Sequence, residues 1–343
     1  MPRWRRRLAS SRNNKLKIVF KNYGIESFVL AALVALAGVP AHAAGWKPDK
    51  PVRLLIPFAP GGGADALSRT ITPKLQDALG QPWVNDNRGG AGGNIAAEIV
   101  VRANPDGQTV LFALSGVITV NPLMYKLPFD PVKDLIPVTM LNAGQYMLVL
   151  HPGVKADSLN EFIALAKSKS TTLSYSSSGI GTPLHLSAEL FKARTGAQLT
   201  HVPYKGGGPA SIALLAGEVQ VLFGSLPSVV PHVKTGRLKA IAVTGPRRAV
   251  AAPDVATVGE LGYKDLEVTS WYGFFLPLRT PAPVVNTLIA ESRKVLEMPD
   301  VKEAFLKLGV EPVFKPGAEF AQHIRQESDT WARVIKAAGI QAE

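Results

Sequence analysis

Four short segments concentrate the groups that could do chemistry: "FAPGGGAD" (58–65), "LSG" (114–116), "SSSGIGTPLH" (176–185) and "PYKGGGPA" (203–210). Each follows a run of β-forming residues and leads into a helix-like stretch. Glycine lets main-chain N–H groups approach a ligand closely, and a helix N-terminus attracts anions. In an open α/β sheet, ligands bind outside the carboxyl ends of the strands. Neutral donors offered by four such turns suit the capture of an anion, most simply a carboxylate.

Covalent chemistry finds less support in the sequence. There is no G-x-S-x-G nucleophile elbow. Ser176, Ser177 and Ser178 lie near His185, but no base and orienting acid can be assigned to them. No P-loop occurs, and "GIGTPL" lacks the third glycine of a dinucleotide fingerprint. The chain has no cysteine, which removes disulfides, thiolate metal sites and a cysteine nucleophile. His151, His185, His201, His232 and His323 are scattered without metal-ligand spacing. The expectation is a protein with no catalytic residues, metal or cofactor. Asp65 either caps the helix after the glycines or lines the site. Trp271, Tyr272, Phe274 and Phe275 either stack on a ligand or pack a core.

The elements that must position these segments alternate. Strands are expected at 52–58, 82–87, 109–114, 146–152, 173–178, 200–204, 219–224, 238–245 and 268–277. Between them lie helices at 64–79, 95–103, 158–167, 183–194, 209–216 and 227–235. Leu67, Ile71, Leu75 and Leu79 form one face of the first, although Pro73 interrupts it. "SLNE" (158–161) has capping-box form. Thr280-Pro281 reads as an N-cap with proline at N1, and a last helix covers 318–338. Strand–helix alternation implies mainly parallel sheets flanked by helices, an α/β fold. Two batches of strands suggest two domains: 46–148 plus 272–343, and 149–271, with the strands at 146–152 and 268–277 as crossovers.

Charge points away from nucleic acid. The net charge is +12, but residues 1–43 hold eight Lys/Arg and one Glu; without them the balance is +5, with no basic block. That leader has a basic n-region, an apolar run at 28–39 and "AHA" at 41–43, the form of a secretory signal peptide cleaved near Ala43. Arg6-Arg7 leaves Sec and twin-arginine export both open. The mature chain is expected in the periplasm.

"KPVRLLIPFAPGGGAD", "NRGGAGGNIAAEIV", "NPDGQTVLFA", "HVPYKGGGPA", "PHVKTGRLKAIAVTG", "PDVATVGELGY" and "SWYGFFLPLRTPAP", in this order, resemble the tripartite tricarboxylate transporter substrate-binding proteins, or Bug receptors, over residues 46–340. The resemblance implies a two-domain periplasmic binding protein of Venus-flytrap, type II-like form. It implies a small carboxylate held between loops, in part through ordered waters, and passed to a membrane permease. Carried over by position, the ligand meets Phe58, Pro60, Gly61, Gly62 and Asp65 on one side. Ser177, Gly179, Gly181, Thr182 and His185 face them. Ser115, Gly116, Tyr204, Lys205 and Gly206 complete the walls. Gly224-Ser225 stands where many members have Asp-Asn, which implies a neutral wall and a ligand without an ammonium group. A monomer is the simplest expectation; a ligand sensor for a membrane signalling system, and a secreted enzyme acting on a carboxylate or ester, are the alternatives.

Overall fold

The computed structural model describes residues 45–168 and 172–340; the leader falls outside them. The first batch of elements is β1 (Val52–Ile56), α1 (Gly63–Leu79), β2 (Trp83–Asn87), α2 (Asn94–Val101) and β3 (Thr109–Leu114). Three short helices follow, α3 (Ser115–Thr119), α4 (Asn121–Met124) and α5 (Pro131–Asp134), and then the long strand β4 (Leu135–Leu150). The second batch is α6 (Leu159–Lys167), β5 (Leu173–Ser177), α7 (Pro183–Thr195), β6 (Leu199–Pro203), α8 (Gly207–Leu215), β7 (Val221–Ser225), α9 (Leu226–Lys234) and β8 (Lys239–Val243). The chain returns through β9 (Thr269–Pro277) to α10 (Ala282–Glu297), α11 (Pro299–Lys307), β10 (Glu311–Pro316) and α12 (Gly317–Ala338).

The strands run in the order β2-β1-β3-β9-β4-β7-β5-β6, with β8 and β10 also pairing with β4. Within each batch, β1 with β2 and β3, and β5 with β6 and β7, pair in parallel. The crossovers pair antiparallel: β9 joins β3 to β4. Strand β4 serves both halves of the sheet. Residues from Leu135 to Gln145 lie against β9, and Tyr146 to Leu150 lie against β7.

Helices on both faces explain why Leu54, Leu55 and Ile56 are buried consecutively. One apolar cluster gathers around β1, β3 and β9, and another around β4, β5 and β7. Each large aliphatic chain taken fully inside stabilises by about 1.5–3 kcal/mol. In α1 the expected face, Leu67, Ile71, Leu75 and Leu79, is buried. Pro73 stays within the helix on its exposed side, where water can meet the freed carbonyl.

Local chemistry sets the ends. Ser158 Oγ accepts from Glu161 N–H at 3.3 Å, and the Glu161 carboxylate accepts from Asp157 N–H at 2.8 Å, a capping box displaced by one residue. Thr280 does not cap α10. Its hydroxyl donates to Pro277 O at 2.8 Å, and Pro281 is the N-cap with Pro283 in the first turn. The sequence also gave no sign of β10: "EPVFKP" carries two prolines and is half-buried throughout, as suits an edge strand.

Candidate ligand-binding site

The four strand-end segments converge. Ala59 N–H donates to Lys205 O at 2.9 Å. A Cβ placed on Gly208 would lie 2.6 Å from Pro60 O and 3.1 Å from Gly62 N, so the two glycine runs meet backbone to backbone, an approach only glycine permits. A Cβ on Gly116 would lie 2.6 Å from the Pro183 ring, which sets Ser115-Gly116 against the start of α7. The third wall is "RGGAGGN": a Cβ on Gly92 would lie 2.6 Å from Ile180 O.

Residues unremarked in the sequence lock these walls together. Tyr125 OH donates to Ile180 O at 2.7 Å. Asn121 Nδ2 donates to Gly92 O at 3.1 Å and Asn94 Oδ1 at 2.6 Å. Asn87 Nδ2 donates to Phe58 O at 2.9 Å. A short polar residue beside a glycine or proline, as in "GGN" and "NP", was the available signal; the partners were not readable.

Asp65 sits in the first turn of α1, whose N-cap is Gly62. Its Oδ2 accepts from Gly61 N–H at 3.2 Å and Arg69 Nε at 3.0 Å. It thus caps by reaching back to the glycine loop, while buried Oδ1 has no partner among the described residues. The hydroxyls of Ser115 and Ser178 are likewise buried and without a partner among the described residues. A buried polar atom without a partner costs stability, so the two hydroxyls are donors a bound oxyanion could satisfy, whereas the Asp65 oxygen is an acceptor and could not.

The loop at 177–182 rests on a stack of rings. Ser177 Oγ accepts from Gly179 N–H at 3.1 Å and lies 2.7 Å from His201 Nε2. Thr182 Oγ1 donates to Gly179 O at 2.6 Å. His185 Nδ1 accepts from Gly181 N–H at 3.3 Å, which requires that nitrogen to be unprotonated. The His185 and His201 rings lie 4.5 Å apart, with Tyr175 stacked 4.7 Å from His201. His185 therefore orients the loop from beneath, and His201, read as scattered, belongs beside it. Tyr204 turns its hydroxyl to Glu218 at 3.3 Å, so its backbone rather than its ring meets the other loops. Gly224 is buried, and Ser225 is the N-cap of α9 with its Oγ 2.9 Å from Ser228 Oγ. Cavities of about 350 and 510 Å³ lie away from these loops, beside Trp331 and beside Ile289.

Strand-end loops of two α/β batches closing on one another, with main-chain and hydroxyl donors turned inward, make the kind of site that a solute-binding receptor uses. The chain belongs to the tripartite tricarboxylate transporter family receptors, whose family model matches residues 67–340. It is 34% identical over 314 residues to Protein BugT of Bordetella pertussis, covering 91% of this chain and 96% of that one. Two solved structures are similar throughout. Rpa4515 of R. palustris with adipate has a TM-score of 0.83 at 32% identity, covering 86% of this chain and 99% of that one. MatC of Rhodopseudomonas palustris with bound malate has a TM-score of 0.80 at 31% identity, covering 84% and 99%.

Proposed function

We propose that this chain captures a small carboxylate between the loops at 58–63, 115–116, 177–182 and 203–208 and delivers it to a tripartite tricarboxylate-type permease. The observation that carries this reading is the pair of buried, unpartnered hydroxyls, Ser115 and Ser178, set among glycine-rich helix starts. The adipate and malate held by the two similar structures fit the same class of ligand. The protein acts as a monomer in the periplasm, delivered there by its cleaved leader; among the described residues no helix is long and apolar enough to cross a membrane.

In this reading 46–148 plus 272–343 and 149–271 are two lobes. A carboxylate settles on the first, and closure about β4 and β9 brings up the second. Closure gains only from contacts made in the closed state. The wall at Gly224-Ser225 stays neutral, because a Cβ at 224 would lie 2.3 Å from Val229 Cγ1; an acidic side chain has no room there without repacking. An acid is therefore preferred to the amino acid of the same skeleton.

The test is a thermal-shift screen of residues 44–343, stripped of co-purified ligand by partial unfolding and refolded, against mono-, di- and tricarboxylates, amino acids, sugars and nucleotides. At a hundred times its Kd, a ligand stabilises by about 2.7 kcal/mol, which the scan resolves. Shifts confined to a carboxylate subset are expected; silence from correctly refolded protein across all carboxylates overturns the proposal.

A further inference from the structure

We propose that the hydroxyl of Tyr272, on the crossover strand β9, donates a hydrogen bond to an acid oxygen of the bound ligand. The inference rests on the carboxylate reading above and assigns a binding residue that the aromatic run "SWYGFF" does not disclose. Tyr272 is 6% exposed, and its ring stacks on Phe112 with centroids 5.1 Å apart. The ring is therefore core, which leaves the hydroxyl to account for. That hydroxyl has no hydrogen-bond partner among the described residues. Burial alone pushes the phenol well above its ordinary range, so it remains a neutral O–H donor at any pH the protein meets.

Its position gives it an occupant. A Cβ on Gly63 would lie 3.3 Å from Tyr272 Oη and 2.9 Å from Ser225 Oγ. Both oxygens therefore stand over the first residue of α1, a helix of 17 residues. Ser225 is at the same time the N-cap of α9, with Ser228 Oγ at 2.9 Å. Two helix N-termini, each carrying partial positive charge, thus meet beside an unused phenol and a pair of hydroxyls. A neutral ligand group would leave that field unanswered, whereas a carboxylate oxygen answers the helix ends and the phenol together. Tyr272 N–H is held by Asn142 Oδ1 of β4 at 2.9 Å, so one residue links ligand to both crossover strands.

The experiment titrates refolded protein with succinate, malate and adipate by calorimetry, comparing the parent chain with Tyr272→Phe. The parent is expected to bind at least one of the three. Tyr272→Phe is expected to weaken that acid at least tenfold, the scale of one hydrogen bond to a charged group. Its ligand-free melting temperature is expected to hold or rise, since the lost hydroxyl had no partner. With [13Cζ]tyrosine, the resonance missing from Tyr272→Phe is expected to move when the parent is saturated. If Tyr272→Phe fails to fold, Ser225→Ala replaces it with the same expected loss. Parental affinity in the variant, or an unmoved resonance, overturns the assignment while leaving the receptor reading intact. A parent that binds none of the acids, nor any other carboxylate, removes both.

Discussion

Gly62 faces the first turn of α8, where a Cβ would lie 3.2 Å from Gly208 N and 3.6 Å from Gly207 N. Its backbone, φ −91° and ψ 178°, is extended, so a side chain there meets no φ/ψ strain, but its Cβ presses on the α8 backbone. Gly62→Asp would place a carboxylate against those N–H groups, repelling a ligand anion while serving as a good N-cap for α1. The expected outcome is loss of carboxylate binding by calorimetry in a chain that still melts cooperatively, with the cap offsetting part of the cost of the tight contact; retained affinity would remove this loop from the site. Ser115→Ala should weaken binding several-fold, because its hydroxyl has no other partner, and should leave the ligand-free melting temperature within a degree or two. At this scale the sequence showed the loops, since glycine runs, serines and threonines at strand ends announce themselves. It did not show who meets them. Tyr125 is 55 residues from Ile180, and Tyr272 is far from Gly63 in the chain. A hydroxyl on an aromatic strand looks the same whether it faces packing or a ligand until the fold brings its neighbours.

Among the elements, α12 carries a titration of its own. Glu327 is mostly buried, and the indoles of Trp271 on β9 and Trp331 on α12 donate to its carboxylate. Burial outweighs those two bonds and pushes its pKa up to about 7. His323 lies 3.9 Å away, and its own pKa is lowered, chiefly by burial. The folded chain therefore holds a proton on Glu327 that the unfolded chain releases near 4.5. Stability from this group is complete below 4.5, declines as pH rises, and is gone above 7, a change of roughly 3 kcal/mol. Glu327→Gln keeps an acceptor for the indoles and should flatten that slope in denaturant titrations between pH 5 and 8; an unchanged slope would assign it to other groups. The helices and most strands were legible because periodicity and glycine caps are local signals. Three features were not. The short helices of 115–134 are too brief to show a period, β10 is masked by its prolines, and β4 begins well before residue 146 because its first half pairs with residues more than a hundred positions away.

For the whole molecule, the proposed closure predicts a smaller radius of gyration in X-ray scattering when a bound carboxylate is added, with no change in mass. An unchanged radius would mean that capture needs no movement of the lobes. The doubling of strand batches was readable in the sequence, whereas the contact of loop on loop was not, since it depends on how the crossovers turn. Those crossovers carry a further consequence. Strand β4 gives its first eleven residues to one half of the sheet and its last five to the other, and β9 fills the place between β3 and β4. The first half cannot be excised as one stretch of chain: a fragment ending at residue 145 lacks β9, which lies between β3 and β4, and β10, which pairs with β4, whereas cutting after 150 takes from β7 and β8 their shared neighbour. A gene fragment that stops short of β9 would yield an open sheet edge in place of half a receptor.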